Sequence, residues 1–200
     1  MSFSDAANPR FFHQDPHKFW FFYGHRYNIY REKFPHQGFK DMLEIGEKTM
    51  NGNYFVFTSN VDNHFSKAGF DDERIIECHG SIMHFQCPCK WEVYEADVDK
   101  IELDETTYEA KSIPKCPGCD APVRPNILMF GDFDWISDRT YSQEERFRRW
   151  IGDIDRESLT IIESGAGENV PTIRRTSEDF LTRITMGGAQ TTLIRINPRD

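Results

Sequence analysis

The chain has 200 residues, of which 38% are hydrophobic and 14% aromatic, so it suits one globular domain and its composition excludes a disordered protein. Its net charge of −9 disfavours nonspecific nucleic-acid binding and suits a basic, lysine-rich partner. No apolar run is long enough to span a bilayer, and the first residues show no secretion signal, so we expect no membrane attachment.

The N-terminal part predicts two helices followed by a buried strand. Asp15-Pro16 combines an N-cap acid with a proline at the first helical position, and predicts a helix to Lys33 with an aromatic face. Pro35 begins a second helix with apolar residues on one side. The run Tyr54–Thr58 is typical of a strand buried on both faces of a parallel sheet, and Arg74–Glu77 predicts a further short strand.

The middle of the chain has a different composition. From Ser81 to Pro125 it contains two cysteine pairs, several prolines and an acidic stretch. This pattern predicts a small module, 81–125, inserted into a larger domain formed by residues 1–80 and 126–200.

The C-terminal part predicts alternating helices and strands. Ser142–Glu145 is a capping box that would open a helix to about Ile154. Leu159–Ile162 predicts a second buried strand, Pro171 opens a helix that Gly187-Gly188 ends, and Thr192–Ile196 predicts a third strand. Strands alternating with helices indicate an α/β fold with a parallel sheet and right-handed crossovers.

Four of the five cysteines form two close pairs, Cys87-x-Cys89 and Cys116-x-x-Cys119. Without a secretion signal, such pairs favour metal ligands over disulfides and indicate a reducing, cytoplasmic setting. Four thiolates fit a closed, structural zinc site, although the Cys87-x-Cys89 pair is one residue tighter than usual. The alternative is a set of unliganded buried thiols.

Polar or glycine-rich residues follow three of the predicted strands. They are Ser59, Asn60 and Asp62, then Gly165-Ala166-Gly167, then Asn197. Ligands of open α/β sheets bind beyond the carboxyl ends of the strands, so this arrangement predicts a nucleotide site. For the glycines alone, a simple tight turn remains the alternative.

His79 follows the strand Arg74–Glu77 directly. An imidazole can take a proton near neutral pH, which makes His79 a candidate general base. A structural role is the ordinary alternative for a histidine, but His79 lies between the polar strand end and the cysteine module. Its neighbour Cys78 is interpreted as a packed thiol.

Taken in order, these motifs resemble the sirtuin family. The similarity spans about Asp15 to the C-terminus and rests on Thr58-Ser59-Asn60-Val61-Asp62, Ala68-Gly69, Glu77-Cys78-His79-Gly80-Ser81, both cysteine pairs, Arg124-Pro125-Asn126-Ile127, Phe130-Gly131-Asp132, Gly165-Ala166-Gly167 and Ile194-Arg195-Ile196-Asn197. Ser59 stands where the family usually has glutamine.

The resemblance implies a Rossmann-like sheet with an inserted zinc-ribbon module, and NAD-dependent removal of acyl groups from protein lysines. It implies His79 as general base, with Asn60 and Asp62 ordering the nicotinamide ribose and a water. NAD would contact Ser59, Asn60, Asp62, Gly165, Ala166, Gly167 and Asn197. The acyl-lysine would lie along Ile127, Phe130 and Gly131, and zinc would be held by Cys87, Cys89, Cys116 and Cys119.

The family's N-terminal glycine-rich segment, which cradles the dinucleotide phosphates, has no match in these residues. We therefore expect reduced NAD affinity for this chain alone. Two alternatives remain open at this point. One is an NAD glycohydrolase or ADP-ribosyltransferase on the same scaffold, and the other is an inactive, zinc-stabilised domain that binds a partner. The aromatic first helix is then a candidate contact surface, although a face packed on the sheet is the favoured interpretation of its aromatic residues.

Overall fold

The computed structural model describes residues 3–49, 52–89, 91–153 and 158–198. In chain order its helices are α1 (Phe3–Ala6), α2 (Pro9–Gln14), α3 (Pro16–Glu32), α4 (Gln37–Thr49), α5 (His64–Lys67), α6 (Asp138–Asp153) and α7 (Thr172–Met186). Its strands are β1 (Val56–Thr58), β2 (Ile75–Glu77), β3 (Gly80–Cys87), β4 (Glu92–Glu95), β5 (Leu103–Asp104), β6 (Glu109–Ala110), β7 (Arg124–Ile127), β8 (Leu159–Ser164) and β9 (Thr191–Ile196). In the part of the chain described, no helix has the length and apolar character needed to cross a membrane.

Helix α3 begins where the sequence predicts. Asp15 is its N-cap and accepts a hydrogen bond from the Lys18 amide, and Pro16 is the first helical residue. Four of its aromatic side chains form one buried stripe: Phe19, Trp20, Tyr23 and Tyr27.

This aromatic stripe packs against β3, and α3 also contacts the hairpin of β5 and β6. The ring centroids of Trp20 and Phe85 lie 5.3 Å apart in an edge-to-face arrangement, and Tyr27 lies 5.9 Å from the same ring. The indole nitrogen of Trp20 donates a 2.8 Å hydrogen bond to the carbonyl of Val123. The central segment of the chain therefore packs on helix α3.

Two parallel ladders form the α/β part of the fold. β1 pairs with β2 from Val56↔Ile75 to Thr58↔Glu77, and β8 pairs with β9 from Leu159↔Thr191 to Ser164↔Ile196. Helix α6 packs on β2, and α7 packs on β8 and β9. The two helices meet through Phe147 and Phe180, whose ring centroids are 5.2 Å apart. The predicted parallel α/β architecture is confirmed.

The segment between β2 and α6 is antiparallel. β3 is the middle strand of a sheet with the order β4-β3-β7, and β5 pairs with β6 in a separate hairpin. The β3–β7 register shifts between Ser81 and Phe85. β3 and β7 each cross one of the predicted module boundaries, at 80/81 and 125/126, and the division of the chain at those positions stays a prediction.

Helix α6 begins four residues before the predicted capping box. Its first residue is Asp138, so Ser142 lies inside the helix. The hydroxyl of Ser142 donates to the carbonyl of Asp138 at 3.0 Å, which is the back-bonding of a helix-interior serine and not a cap. The capping-box prediction was wrong in position, and its predicted end at Ile154 lies outside the described residues.

The strand predicted at Leu159–Ile162 forms, extended to Ser164, but it is not buried on both faces. Along β9 the side chains alternate between half-buried and exposed, and Ile194 and Ile196 are 45% and 52% exposed. Arg195, on the covered face, bonds to Glu178 of α7. Helix α7 therefore covers one face of the β8–β9 ladder only. For this reason the apolar run of β8 is not buried on both faces.

Gly80 connects the parallel and antiparallel parts, and its backbone requires glycine. Its φ is +77°, and a Cβ there would lie 2.0 Å from the carbonyl oxygen of Asn126. We expect Gly80→Ala to lower the free energy of unfolding by at least about 2 kcal/mol, because a left-handed backbone and a backbone clash add together. Urea unfolding measures this change.

The matched control is Gly152→Ala in α6, where an added Cβ would meet no heavy atom within 4 Å. That substitution should leave stability unchanged or raise it by up to about 1 kcal/mol, since alanine favours helix more than glycine does. Equal stability of Gly80→Ala and the unsubstituted chain would contradict the assigned constraint.

Candidate functional site

His79 occupies the turn between β2 and β3, and backbone hydrogen bonds fix it from two sides. The amide of Cys78 donates to the carbonyl of Thr58 at 2.9 Å, and the carbonyl of His79 accepts from the amide of Leu128 at 2.9 Å. The histidine is thereby held between the end of β1 and the chain that leaves β7.

The His79 side chain is half-buried and has two polar neighbours. Its ring faces the backbone of Ser59, and its Nε2 lies 3.4 Å from the hydroxyl of Thr172. Burial lowers the pKa of His79, and the backbone of Ser59 opposes this in part. The imidazole is therefore neutral at pH 7 and able to accept a proton.

The predicted residues after β1 lie beside this histidine. The amide of Asn60 donates to the Thr58 hydroxyl at 3.0 Å, and the side chain of Asn60 is exposed. Asp62 is half-buried, and its Oδ1 accepts from the amide of His64 at 3.0 Å, at the start of α5. One carboxylate oxygen of Asp62 is thus used to hold the local chain.

The glycine-rich loop after β8 is held by its central residue. The carbonyl of Ala166 accepts from Arg174 Nε at 2.9 Å and from Asn197 Nδ2 at 2.8 Å. Gly165 has a φ of +67°, and the space around it is open. Gly165 thus begins a tight turn, which was the alternative interpretation of these glycines, and Asn197 uses its side-chain amide to hold the loop in place.

Helix α7 connects the β8–β9 ladder to His79. It starts at Thr172, five residues beyond Gly167, and its N-terminal turn lies at His79 through the Thr172 hydroxyl. The structure therefore joins the strand ends of both ladders at His79. Sequence reasoning missed Thr172, because a threonine after Pro171 reads as an ordinary helix-capping residue.

The three predicted acyl-lysine residues lie where the chain leaves β7. Ile127 is buried, Phe130 is 45% exposed, and Gly131 is exposed with a φ of +66°. The amides of residues 128–130 already have acceptors: Leu128 bonds to His79, Met129 to Asp132 and Phe130 to Ala7.

A buried ion pair fixes this segment. Arg124 and Asp132 form a two-pronged contact with N–O distances of 2.8 and 2.9 Å, and their side chains are 5% and 0% exposed. Asp132 also accepts from the amides of Met129 and Asp134. The sequence motif contained both residues, but nothing in their spacing of eight predicted that they pair.

The four paired cysteines form one cluster. Each offers a sulfur, and the four sulfurs of Cys87, Cys89, Cys116 and Cys119 all lie within 4.8 Å of one another. Ligands about 2.3 Å from one zinc ion in tetrahedral geometry are separated by about 3.8 Å, so the cluster fits that ion. The tight Cys87-x-Cys89 spacing does not prevent both sulfurs from reaching the cluster.

The surroundings of the cluster also suit a metal. A hydrogen bond from the backbone at Gly118 lowers the pKa of Cys116, which favours its thiolate. The hydroxyl of Tyr94, on β4, is buried and has no hydrogen-bond partner among the described residues. A metal-bound thiolate is an acceptor that could use this hydroxyl. Cys78 lies outside the cluster, and burial raises its pKa to about 12, as befits a packed thiol.

Known proteins are similar to this chain in sequence and in fold. The model of the Sir2 family matches residues 1–146. An NAD-dependent protein deacylase of Thermococcus sibiricus is 30% identical over 128 residues, which are 64% of this chain and 48% of that protein. The NAD-dependent deacetylase sir2E of Dictyostelium discoideum is 30% identical over 159 residues, covering 72% of this chain and 45% of that protein. The chain spans about half the length of the curated relatives it matches.

Solved structures show the same fold. A Sir2 homolog in complex with NAD superposes with a TM-score of 0.68 and 22% identity, covering 98% of this chain and 66% of the other. Sir2 bound to an acetylated peptide gives a TM-score of 0.62 at 19% identity, covering 98% and 74%. The similarity therefore extends over nearly all of this chain.

The cysteine geometry predicts about one zinc ion per chain. Cys116→Ser should remove most of the bound zinc and lower the melting temperature, because binding a structural metal contributes directly to folding. Metal content by plasma mass spectrometry and thermal unfolding measure both effects. Cys78→Ser is the matched control and should keep its zinc. Full zinc content in Cys116→Ser would refute the four-thiolate site.

Proposed function

Because this chain belongs to the Sir2 family, we propose that it takes part in NAD-dependent removal of acyl groups from protein lysines. The observation that carries the proposal is His79, a neutral and half-buried imidazole at the point where the strand ends of both parallel ladders meet. The names of the curated relatives, NAD-dependent protein deacylases, support the same reaction.

The proposed NAD site lies along the two strand ends. Ser59, Asn60 and Asp62 follow β1, while the Gly165–Gly167 loop and Asn197 follow β8 and β9. The N-terminal turn of α7 faces the same region and offers backbone N–H groups, which favour phosphate oxygens. We assign the ribose contacts to the first group and the phosphate contacts to the loop.

The proposed acyl-lysine site is the segment from Ile127 to Gly131. Since the amides of Leu128, Met129 and Phe130 bond within the chain, an added peptide strand would pair mainly with the carbonyl groups of this segment and with groups that follow it. The net charge of −9 suits a lysine-containing peptide. The Arg124–Asp132 pair would hold the segment in one conformation.

NAD, when bound, supplies an electrophilic ribose carbon, a nicotinamide leaving group and the ribose hydroxyl that receives the acyl group. The protein's part is to position these groups and to move one proton. His79 would accept that proton at Nε2 from the ribose hydroxyl. Asn60 and Asp62 would order the ribose and a water molecule. Zinc would hold the cysteine cluster together and take no part in the chemistry.

The first test replaces the base. His79→Gln should lower deacylation of an acetylated peptide by at least about 100-fold, the contribution expected of a general base. His25→Gln is the matched control, because His25 is an exposed residue of α3. The measurement is release of deacetylated peptide and nicotinamide by mass spectrometry. Unchanged turnover in His79→Gln would refute the assigned role, and nicotinamide release that needs no peptide would instead favour a glycohydrolase.

The second test uses pH. The reaction needs the neutral imidazole, and burial lowers the pKa of His79, so the reactive form persists below the ordinary histidine value of about 6.5. We expect kcat/KM to stay level as pH falls to about 6.5 and to decrease at lower pH. An acid limb centred above pH 7 would contradict the neutral, half-buried state of His79.

A further inference from the structure

Thr172 contacts the base nitrogen of His79 across the two ladders. Its Oγ1 lies 3.4 Å from Nε2 of a residue 93 positions earlier in the chain. A threonine at the start of a helix ordinarily bonds to its own helix. At α7 the N-cap residue is Pro171, which makes no side-chain cap bond, and the Thr172 hydroxyl faces the imidazole instead.

The Thr172 hydroxyl suits Nε2 of His79 in either protonation state. In the state that acts as a base, Nε2 carries a lone pair. A hydroxyl can donate to that lone pair, and it can also accept from Nε2–H after the ring is protonated.

The backbone that presents Thr172 is itself held. Arg174, two residues further along α7, bonds to the carbonyl of Ala166, and Asn197 bonds to the same oxygen. The loop before α7 and the first turn of the helix are thus tied together. The position of the Thr172 hydroxyl relative to His79 follows from these bonds and from the packing of α7 on β8 and β9.

We propose that Thr172 is a positioning residue, which holds the His79 ring with the Nε2 lone pair directed between the two ladders. At 3.4 Å the contact is long for a hydrogen bond, so a sugar hydroxyl can displace it by forming a shorter one. This inference rests on the proposed function of His79 as the base. Thr172 itself transfers no proton in the reaction.

The test compares Thr172→Val, which removes the hydroxyl and keeps the shape, with Thr172→Ser, which keeps the hydroxyl. Thr172→Val should lower kcat about tenfold with KM for NAD and peptide within about twofold, because a misplaced base affects the chemical step and not ground-state binding. Thr172→Ser should stay within about threefold of the unsubstituted chain. Thermal unfolding establishes that both variants fold.

A second readout does not depend on activity. The ¹⁵N resonance of His79 Nε2, assigned with His79→Gln, should move toward the value of a free lone pair in Thr172→Val and stay unchanged in Thr172→Ser. If the unsubstituted chain is inactive with NAD and peptide, the proposed function fails and the resonance alone decides this inference. An unchanged resonance in Thr172→Val would overturn it, as would an equal loss of kcat in both variants.

Discussion

Trp20 and Tyr27 of α3 pack against Phe85 of β3, and the Trp20 indole bonds to the carbonyl of Val123. The side chains of Phe19, Trp20 and Tyr27 are fully buried, and each buried side chain of this size contributes roughly 1.5–3 kcal/mol. The rest of the structure depends on this packing, because β3 connects the parallel ladder to the cysteine cluster. Without α3, the central strand would lose its largest aromatic partners, Trp20 and Tyr27.

β3 connects the candidate catalytic histidine to the cysteine cluster. Its first residue, Gly80, follows His79, and its last, Cys87, belongs to the cysteine cluster. Eight residues of strand span about 25 Å, so the metal site lies too far away to act on a substrate at His79. The same strand pairs with β7, which leads into the segment fixed by Arg124 and Asp132. One rigid strand thus sets the spacing between base, substrate segment and metal.

The sequence predicted those parts of the molecule that local chemistry determines. Asp15-Pro16 determines the start of α3 without any tertiary contact, and two cysteine pairs can be recognised from spacing alone. The capping box at Ser142 misled because the same residue type also suits a helix interior when its hydroxyl bonds to the preceding turn. The apolar run of β8 misled because a run shows what can be buried, and only the tertiary fold shows which faces are covered.

In the candidate site, too, the sequence predicted only what local chemistry determines. His79 and the residues after β1 could be found from motifs, and their roles stay predictions. The sequence did not predict the contact with Thr172 or the Arg124–Asp132 pair, because each depends on the tertiary positions of two separate segments. The sequence shows such residues only as a helix-capping threonine or as charged side chains. Their roles become visible only when their contacts with distant segments are known.

The contact between His79 and α7 also has a consequence for the order in which the molecule assembles. The core in which α3 packs on β3 contains no residue of the C-terminal ladder, so it can form on the ribosome while that ladder is still being synthesised. At that stage backbone hydrogen bonds already hold His79, but Thr172 of α7 is not yet in contact with it. In a growing polypeptide the scaffold would therefore form first, and the docking of α7 would then bring Thr172 to His79.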